Sequence, residues 1–300
     1  MKVCELCPRQ CRVDRTEHLG ACGVDAALKV GAIVIHRGEE PPFNAGAGSG
    51  AVFFSGCPLQ CSFCQNKQIS HHALGTPITP GQLANFLVQF QDAGCSTINL
   101  VSPTHYTPQI LDALDQARDR RLVLPVMLNS SGYERPDILR QWKDCAQIYL
   151  MDLKYGDNHT AKILSRADDY WDRSRETIAY LLESVGPLRV DGEGRAVEGL
   201  IVRHLVLPGM RSNPFAVLEF LAGLSLEIPI SIMSQYTPAY YDGDIPDMKR
   251  AITSEEYRVV LEKADEFGFE TMYVQSMDSP SVYTPDFTAE RPFSDAERLF

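Results

Sequence analysis

Short apolar runs alternate along this chain with segments whose apolar residues recur every three or four positions. The first run, at 51–54, has the length and composition of a buried strand. Thr79-Pro80 then supplies an N-cap and a first-turn proline for a helix. The apolar residues that follow share one helix face: Leu83, Phe86, Leu87 and Phe90. This part of the chain therefore predicts one strand followed by one helix.

The same alternation continues to residue 274. Further strands are predicted at 97–101, 122–128, 148–151, 200–207, 228–233 and 271–274. Helix starts are marked by Thr107-Pro108, Pro136, Asn213-Pro214 and the Thr253/Glu256 capping box. Alternating strands and helices predict an α/β fold with parallel strands and right-handed crossovers. We expect a partial (β/α)6-type barrel, with an open doubly wound sheet as the alternative.

Three regions follow from where this alternation begins and ends. We predict a short cysteine-rich, metal-binding N-terminal extension at 1–48, the barrel at 49–276 and a C-terminal tail at 277–300. The tail is polar and contains proline, and it lies outside the repeating pattern.

Composition excludes several classes of protein. A chain of 300 residues with 44% hydrophobic and 22% charged residues can bury a large core, so it is not disordered. Its formal net charge of -11 disfavours binding to nucleic acid or to an anionic membrane surface. There is no apolar run of the roughly 20 residues that a membrane helix needs. Met1-Lys2-Val3 leads directly to Cys4 without room for a signal peptide, so we expect a cytoplasmic protein.

Cysteine placement gives the sharpest chemical signal. Seven of nine cysteines lie in the first 64 residues, and reduced, clustered thiols are typical of metal sites. Cys57, Cys61 and Cys64 directly follow the first strand, where barrel enzymes place their chemistry. An electron-transfer [4Fe-4S] cluster has four cysteine ligands, so three leave one iron open to a substrate. The alternatives are inert buried cysteines, or a zinc site completed by His71 or His72.

Polar residues at later strand ends are the candidates for binding a cofactor. Asp152 and Lys154 follow the fourth strand, and side-chain alternation turns both toward the same side. His204 is either a ligand contact or a buried, hydrogen-bonded core residue, since one member of Arg203-His204 must face inward. The other candidates follow the second and third strands: Ser102, Thr104, Asn129 and Ser131.

A second group of cysteines precedes the barrel. Cys4, Cys7, Cys11 and Cys22 are predicted to close a metal site that orders a segment too short for its own core. Their spacing is compatible with zinc or with a second iron-sulfur cluster, and the alternative is a segment with free thiols.

Several segments together resemble the radical S-adenosylmethionine (SAM) superfamily, in the branch related to pyruvate formate-lyase activating enzymes. The resemblance rests on the opening Cys-Glu-Leu-Cys-Pro-Arg-Gln-Cys and on residues 53–57, 64–66, 102–105, 131–134, 152–155 and 203–209. It implies an oxidoreductase that cleaves SAM reductively at a [4Fe-4S] cluster on Cys57, Cys61 and Cys64. The resulting 5'-deoxyadenosyl radical abstracts hydrogen from a substrate, which in this branch is a glycyl radical enzyme.

The resemblance also assigns roles to individual residues and partners. Phe63 is expected near the adenine, with Asn66 beside it in the motif, and Asp152, Lys154 and His204 around the methionine or nucleoside. Ser102 and Thr104 stand where many members carry a Gly-Gly-Glu-like segment for the methionine amine. A flavodoxin- or ferredoxin-type protein would be the reductant. The extra cysteines depart from the pattern, because activating enzymes with additional clusters carry them after the radical motif.

Two other functions are weighed against activation of a glycyl radical enzyme. One is a radical SAM enzyme that acts on a small molecule or peptide, which a covered barrel mouth would favour. The other is an iron-sulfur or zinc module for binding or electron transfer, with both cysteine groups closed and no radical chemistry.

Overall fold

The computed structural model describes residues 3–279, 284–289, 292–293 and 297–299, and its central element is a mostly parallel β-sheet. The strands of this described part are β1 (Lys29–His36), β2 (Ser49–Phe54), β3 (Thr76–Pro77), β4 (Thr97–Val101), β5 (Val126–Ser130), β6 (Ile148–Asp152), β7 (Arg189–Val190), β8 (Ala196–Leu205), β9 (Ile230–Met233), β10 (Met272–Val274) and β11 (Glu297–Arg298). Strands β2, β4, β5, β6, β8, β9 and β10 are parallel neighbours in chain order. The sheet is not closed, which confirms the predicted partial barrel.

Helices connect the parallel strands. In the described residues they are α1 (Lys67–Ser70), α2 (Pro80–Asp92), α3 (Thr107–Asp119), α4 (Pro136–Leu139), α5 (Asn158–Ser165), α6 (Tyr170–Val185), α7 (Pro214–Leu224) and α8 (Ser254–Phe267). Thr79 and Thr253 form the N-terminal capping boxes of α2 and α8, each with a partner three residues later. None of the described helices has the length and apolar character needed to cross a membrane.

Two antiparallel strands extend the sheet beyond β2. β1 pairs with β2 over almost its full length, and β11 pairs with the other side of β1. β10 lies at one edge of the sheet and β11 at the other. The described tail strand β11 therefore lies on the opposite edge of the open barrel from β10. Strand β1 lies outside the strands predicted from the sequence.

Alternating side chains divide the core into two layers. On β2, Val52 and Phe54 belong to the large cluster that includes the helix residues, whereas Ala51 and Phe53 belong to a separate inner cluster. The bottom of the barrel is filled by a third cluster: Phe43, Met127, Ile148, Leu150, Ala196 and Ile201. The space above this third cluster, at the carboxyl ends of the strands, is the position at which barrel enzymes bind their ligands.

The described N-terminal residues 3–28 contain no strand or helix, and hydrogen bonds attach them to the barrel. Arg15 is buried and donates to the carbonyl oxygens of His105 and Asp25. Arg9 donates to the carbonyl oxygen of Pro58 at 2.8 Å and to that of Ser165 at 3.0 Å. The segment therefore packs directly against the loop that carries the three cysteines.

Candidate active site

A cavity of about 540 Å³ lies at the carboxyl ends of the parallel strands. Its wall includes the loop after β2, the ends of β4, β5, β6, β8, β9 and β10, and described residues of the C-terminal tail. A volume of roughly 300 to 1,000 Å³ is usual for small-molecule and cofactor sites.

Cys57, Cys61 and Cys64 all line this cavity. Gly56 precedes them with φ +84°, and a Cβ there would lie 2.8 Å from the carbonyl oxygen of Cys22, so glycine is required on both counts. The amide of Cys57 donates to that same carbonyl at 3.1 Å. The loop is thus shaped by the N-terminal segment as well as by the barrel.

Burial and nearby cysteines make the thiols of Cys57 and Cys64 difficult to ionise when no metal is bound. Burial, followed by the charges of Cys61 and Cys64, raises the pKa of Cys57 to about 12. Burial and Cys61 likewise raise the pKa of Cys64. Bound iron favours deprotonated sulfur, so a cationic cluster would relieve this repulsion.

The chemistry of the donor set fits an iron-sulfur cluster better than a single ion. Among the described residues, no three Cys, His, Asp or Glu side chains are grouped closely enough to hold one metal ion. A [4Fe-4S] cluster does not need such a group, because each cysteine binds a different iron. The hydroxyls of Ser70 and Ser165 donate to the sulfurs of Cys64 and Cys61, at 3.3 and 3.0 Å, as they would to cluster ligands.

Asp152 and Lys154 form an ion pair of 2.5 Å in the wall beside the cysteines. Burial opposes the charge of Lys154, but Asp152 and Cys61 outweigh it and raise the pKa of the lysine above its usual range. Strand alternation accounts for their common direction, as the sequence predicted. The pair offers one anionic and one cationic group to a zwitterionic ligand.

A second charged group lies on the inner side of the barrel. Arg203 of β8 donates to both oxygens of Glu40, at 2.7 and 2.5 Å, and also to Glu39. Asn99 of β4 donates to the other oxygen of Glu39 at 2.6 Å. One arginine against two carboxylates gives this group a formal charge of -1, and all three charged side chains line the cavity.

The structure brings together most of the cofactor-binding residues predicted from the sequence. Seven of them line the cavity: Phe63, Asn66, Ser102, Asn129, Ser131, Asp152 and Lys154. Thr104 instead lies buried in the 3-10 turn after β4, and it is not part of the cavity wall.

His204 faces away from the cavity. Inward-facing residues alternate along β8, with Ile201 in the third cluster and Arg203 and Leu205 in the cavity wall, so His204 points toward the helices. Its ring contacts the Leu153 carbonyl at 2.6 Å and the Ser212 hydroxyl at 3.1 Å. Arg203, not His204, therefore faces the cavity. The placement of His204 fits the alternative interpretation as a hydrogen-bonded core residue.

Sequence reasoning assigned no role to several residues of the wall. These are Glu39 and Glu40 from the β1–β2 connection, Gln235 and Tyr236 after β9, and Gln275, Asp278, Ser279 and Phe293 at and after β10. The apolar run 30–35 could have predicted β1, and the polar residues after that strand would then have been candidates for the site.

The N-terminal cysteines form a neighbouring group. Cys4, Cys7 and Cys22 are buried, and Cys11 is partly buried. Burial first, then the charges of Glu134, Cys22 and Cys4, raise the pKa of Cys7 to about 12. These thiols therefore lie within electrostatic reach of one another, outside the cavity described above.

The central part of the chain is similar to a known protein family. Residues 51–191 match the profile of the Radical SAM superfamily, a range that contains the three cysteines, Asp152 and Lys154. An uncharacterized protein of Methanocaldococcus jannaschii is 26% identical over 282 residues, covering 91% of this chain and 77% of the relative.

Two solved structures are similar in part. Streptococcus suis SuiB, solved bound to the precursor peptide SuiA, aligns with a TM-score of 0.52 and 14% identity over 80% of this chain. The chain spans about half of SuiB, 51% of its length, and the likeness is one of fold. A domain of a pyruvate-formate lyase-activating enzyme from Bacteroides vulgatus aligns with a TM-score of 0.39 and 13% identity, over 57% of this chain and 92% of that domain.

Proposed function

We propose that this chain is a radical SAM enzyme, which cleaves S-adenosylmethionine reductively and uses the nucleoside radical to abstract hydrogen from a substrate. The match of residues 51–191 to the Radical SAM superfamily supports this proposal. The observation that carries the proposal is the joint placement of Cys57, Cys61 and Cys64 with the Asp152–Lys154 pair in one cavity wall. A [4Fe-4S] cluster on the three cysteines would supply one electron, and SAM cleavage then yields methionine and a 5'-deoxyadenosyl radical. A flavodoxin- or ferredoxin-type protein would provide that electron.

The residues of the cavity divide this work by their chemistry. Lys154 binds a carboxylate and Asp152 an ammonium group, so the pair suits the two charges of a methionine moiety. Phe63 offers an aromatic face for the adenine, and it is held by Tyr155 and Tyr236 at centroid distances of 6.4 and 5.9 Å. Ser102, Asn129 and Ser131 add hydrogen-bonding groups to the wall of the same cavity.

Aromatic side chains form an apolar part of the cavity wall. Phe53 of β2 packs against Phe287 and Phe293 of the tail, with ring centroids 5.6 and 5.2 Å away. Keeping solvent away protects a reactive intermediate from side reactions. These contacts therefore support a site built for radical chemistry.

Two classes of substrate are candidates for hydrogen abstraction by the radical. A glycyl radical enzyme would have to insert a loop of its own chain into the cavity. The C-terminal tail favours a narrower substrate, a small molecule or peptide, because Asp278, Ser279 and Phe293 line the cavity and the tail ends at β11 on the opposite sheet edge. We infer that a small molecule or peptide is the substrate class with the better structural support.

We further propose that Cys4, Cys7, Cys11 and Cys22 hold a second metal, as zinc or an iron-sulfur cluster. The cluster is the better supported of the two, since no three described Cys, His, Asp or Glu side chains are grouped closely enough to hold a single ion. The burial and proximity of the group support this. Metal analysis of a variant with Cys57, Cys61 and Cys64 all replaced by Ala should show zinc or iron that is lost when Cys4 and Cys7 are also replaced. Metal-free protein would oppose the proposal.

The radical function is tested by anaerobic reconstitution. Wild-type protein should bind about four more irons than Cys57→Ala and, unlike that variant, should form 5'-deoxyadenosine from SAM and dithionite. Cys95→Ala is the matched control, because Cys95 is buried and outside the cavity, and it should behave as wild type. A Cys57→Ala protein that still forms 5'-deoxyadenosine would contradict the assignment.

The substrate class is tested by isotope transfer. Deuterium-labelled small molecules and peptides, and a deuterated glycyl radical enzyme, are each incubated with enzyme, SAM and reductant. Label in 5'-deoxyadenosine from a small molecule or peptide would support the favoured class. Label from the protein alone would support the activating-enzyme function instead.

A further inference from the structure

The C-terminal end of α5 lies directly against the cysteine loop. The amide of Ser62 donates to the carbonyl oxygen of Leu164 at 2.8 Å. One residue further on, the hydroxyl of Ser165 donates to the sulfur of Cys61 at 3.0 Å. Ser165 is fully buried and separated from Cys61 by 104 positions in the chain. The barrel therefore delivers a distant hydroxyl to one particular cysteine.

A third residue continues this contact. The phenolic oxygen of Tyr155 lies 2.5 Å from the hydroxyl oxygen of Ser165, and Tyr155 is also fully buried. A thiolate that binds iron can only accept, and a serine hydroxyl has one hydrogen to give. If Ser165 gives its hydrogen to Cys61, the hydrogen between the two hydroxyls must come from Tyr155. The donors then run in one direction, from Tyr155 to Ser165 to the sulfur of Cys61.

We propose that Tyr155 and Ser165 form a hydroxyl relay that raises the reduction potential of the cluster bound at Cys61. This inference rests on the proposed function, because it requires the cluster. Hydrogen bonds to the ligand sulfurs are among the factors that set iron-sulfur potentials. Adding one electron makes the cluster more negative, so a donor to its sulfur stabilises the reduced state more than the oxidised state. Both residues are positioning residues that act through Cys61.

The fixed geometry makes the relay a stronger donor than an isolated hydroxyl. Tyr155 packs edge-on against Tyr170 and Phe63, with ring centroids 5.3 and 6.4 Å away. The carbonyl oxygen of Ser165 accepts from Arg9 at 3.0 Å. Linked hydrogen bonds polarise one another in a low-dielectric interior, which strengthens the final donor. By contrast, the hydroxyl of Ser70 reaches Cys64 at a longer 3.3 Å.

The test is a redox titration of the reconstituted cluster without SAM, followed by electron paramagnetic resonance of the reduced state. Ser165→Ala should lower the ratio of reduced to oxidised cluster about tenfold at a fixed potential, a shift of about 59 mV for one electron. Tyr155→Phe keeps the Ser165 donor and should shift the potential in the same direction by less. Ser49→Ala is the matched control, because Ser49 is equally buried but bonds Thr97 at the opposite end of β2.

The possible outcomes separate this proposal from the proposed function. Unchanged or raised potentials in Ser165→Ala and Tyr155→Phe, with iron fully loaded, would overturn the relay and leave the cluster assignment intact. Wild-type protein that binds no iron at Cys57, Cys61 and Cys64 would overturn both. If Ser165→Ala does not load iron, the sign of the Tyr155→Phe shift decides: a lower potential supports the relay, and any other result refutes it.

Discussion

Replacing Arg203 should destabilise the protein more than removal of any exposed arginine. The side chains of Arg203, Glu39 and Glu40 are only 14%, 7% and 6% exposed. In Arg203→Met the two carboxylates would stay buried without their cation. Removing one partner of a buried ion pair typically costs about 3 to 5 kcal/mol.

This free energy converts to a measurable change in melting temperature. At about 2.1 cal/mol/K per residue, the unfolding entropy of 300 residues is about 0.6 kcal/mol/K. The expected loss is therefore about 5 to 8 °C by circular dichroism at pH 7.5. Arg211→Met is the matched control: its 2.8 Å pair with Asp247 is 46% and 38% exposed, so its loss should cost at most about 1 kcal/mol.

The pH dependence gives an independent check of the cause. Burial opposes ionisation of Glu40, but the charge and hydrogen bonds of Arg203 outweigh it and lower the pKa of this carboxyl. In wild type, the stabilisation by Glu40 is therefore present above the ordinary glutamate pKa and lost as pH falls through the lower folded value. Without Arg203, burial alone raises the pKa, so Arg203→Met should instead lose stability as pH rises from about 5 to 8.

A double variant completes this test. Arg203→Met with Glu40→Gln removes one of the unpaired charges and should recover part of the lost melting temperature. An Arg203→Met protein within about 1 °C of wild type across this pH range, which is about a fifth of the smallest expected shift, would refute the reasoning.

Three further predictions concern the surroundings of the cysteines. Arg9→Ala removes the donor to the Pro58 carbonyl, so reconstituted protein should lose iron to a chelator several times faster than wild type. Equal rates of iron loss would show that this hydrogen bond does not stabilise the cysteine loop. Burial raises the pKa of Glu134 to about 7, so wild-type stability should fall by about 3 kcal/mol as pH rises from about 4.5 to 7. Melting curves of Glu134→Gln should lack this fall, and an unchanged pH profile would exclude Glu134 as its source. Gly56→Ala should reduce iron loading and melting temperature, because the backbone there is left-handed and an added Cβ would meet neighbouring atoms. Gly223→Ala is the control, because that position on α7 has open space for a Cβ, and it should change neither quantity. Unchanged iron loading in Gly56→Ala would show that the loop can adjust.

The sequence was sufficient to predict the barrel because its signals are local. Thr79 and Thr253 mark helix starts through contacts within three residues, and the strand-helix alternation is legible without any long-range information. The cysteine loop could be predicted equally well, since one short segment contains both the spacing of its cysteines and the strand β2 that precedes it.

The remaining features depend on contacts between distant parts of the chain. Arg203 meets Glu39 and Glu40 across more than 160 residues, and no local pattern pairs them. The choice between Arg203 and His204 as the inward residue depends on which face of β8 points into the barrel. The structure shows this through Ile201, which belongs to the third cluster inside the barrel, whereas Leu200 and Val202 belong to the cluster with the helices. A shift of one residue exchanges the two faces of a strand, so a short ambiguous run could not decide it.

The most direct test of the central claim asks whether S-adenosylmethionine binds an iron that Cys57, Cys61 and Cys64 leave open. The reduced, reconstituted protein is mixed with S-adenosylmethionine labelled with nitrogen-15 in its amino group and oxygen-17 in its carboxylate, and studied by electron-nuclear double resonance. We predict hyperfine coupling of both labels to the cluster spin. A fully loaded cluster that shows no coupling to either label would contradict the account.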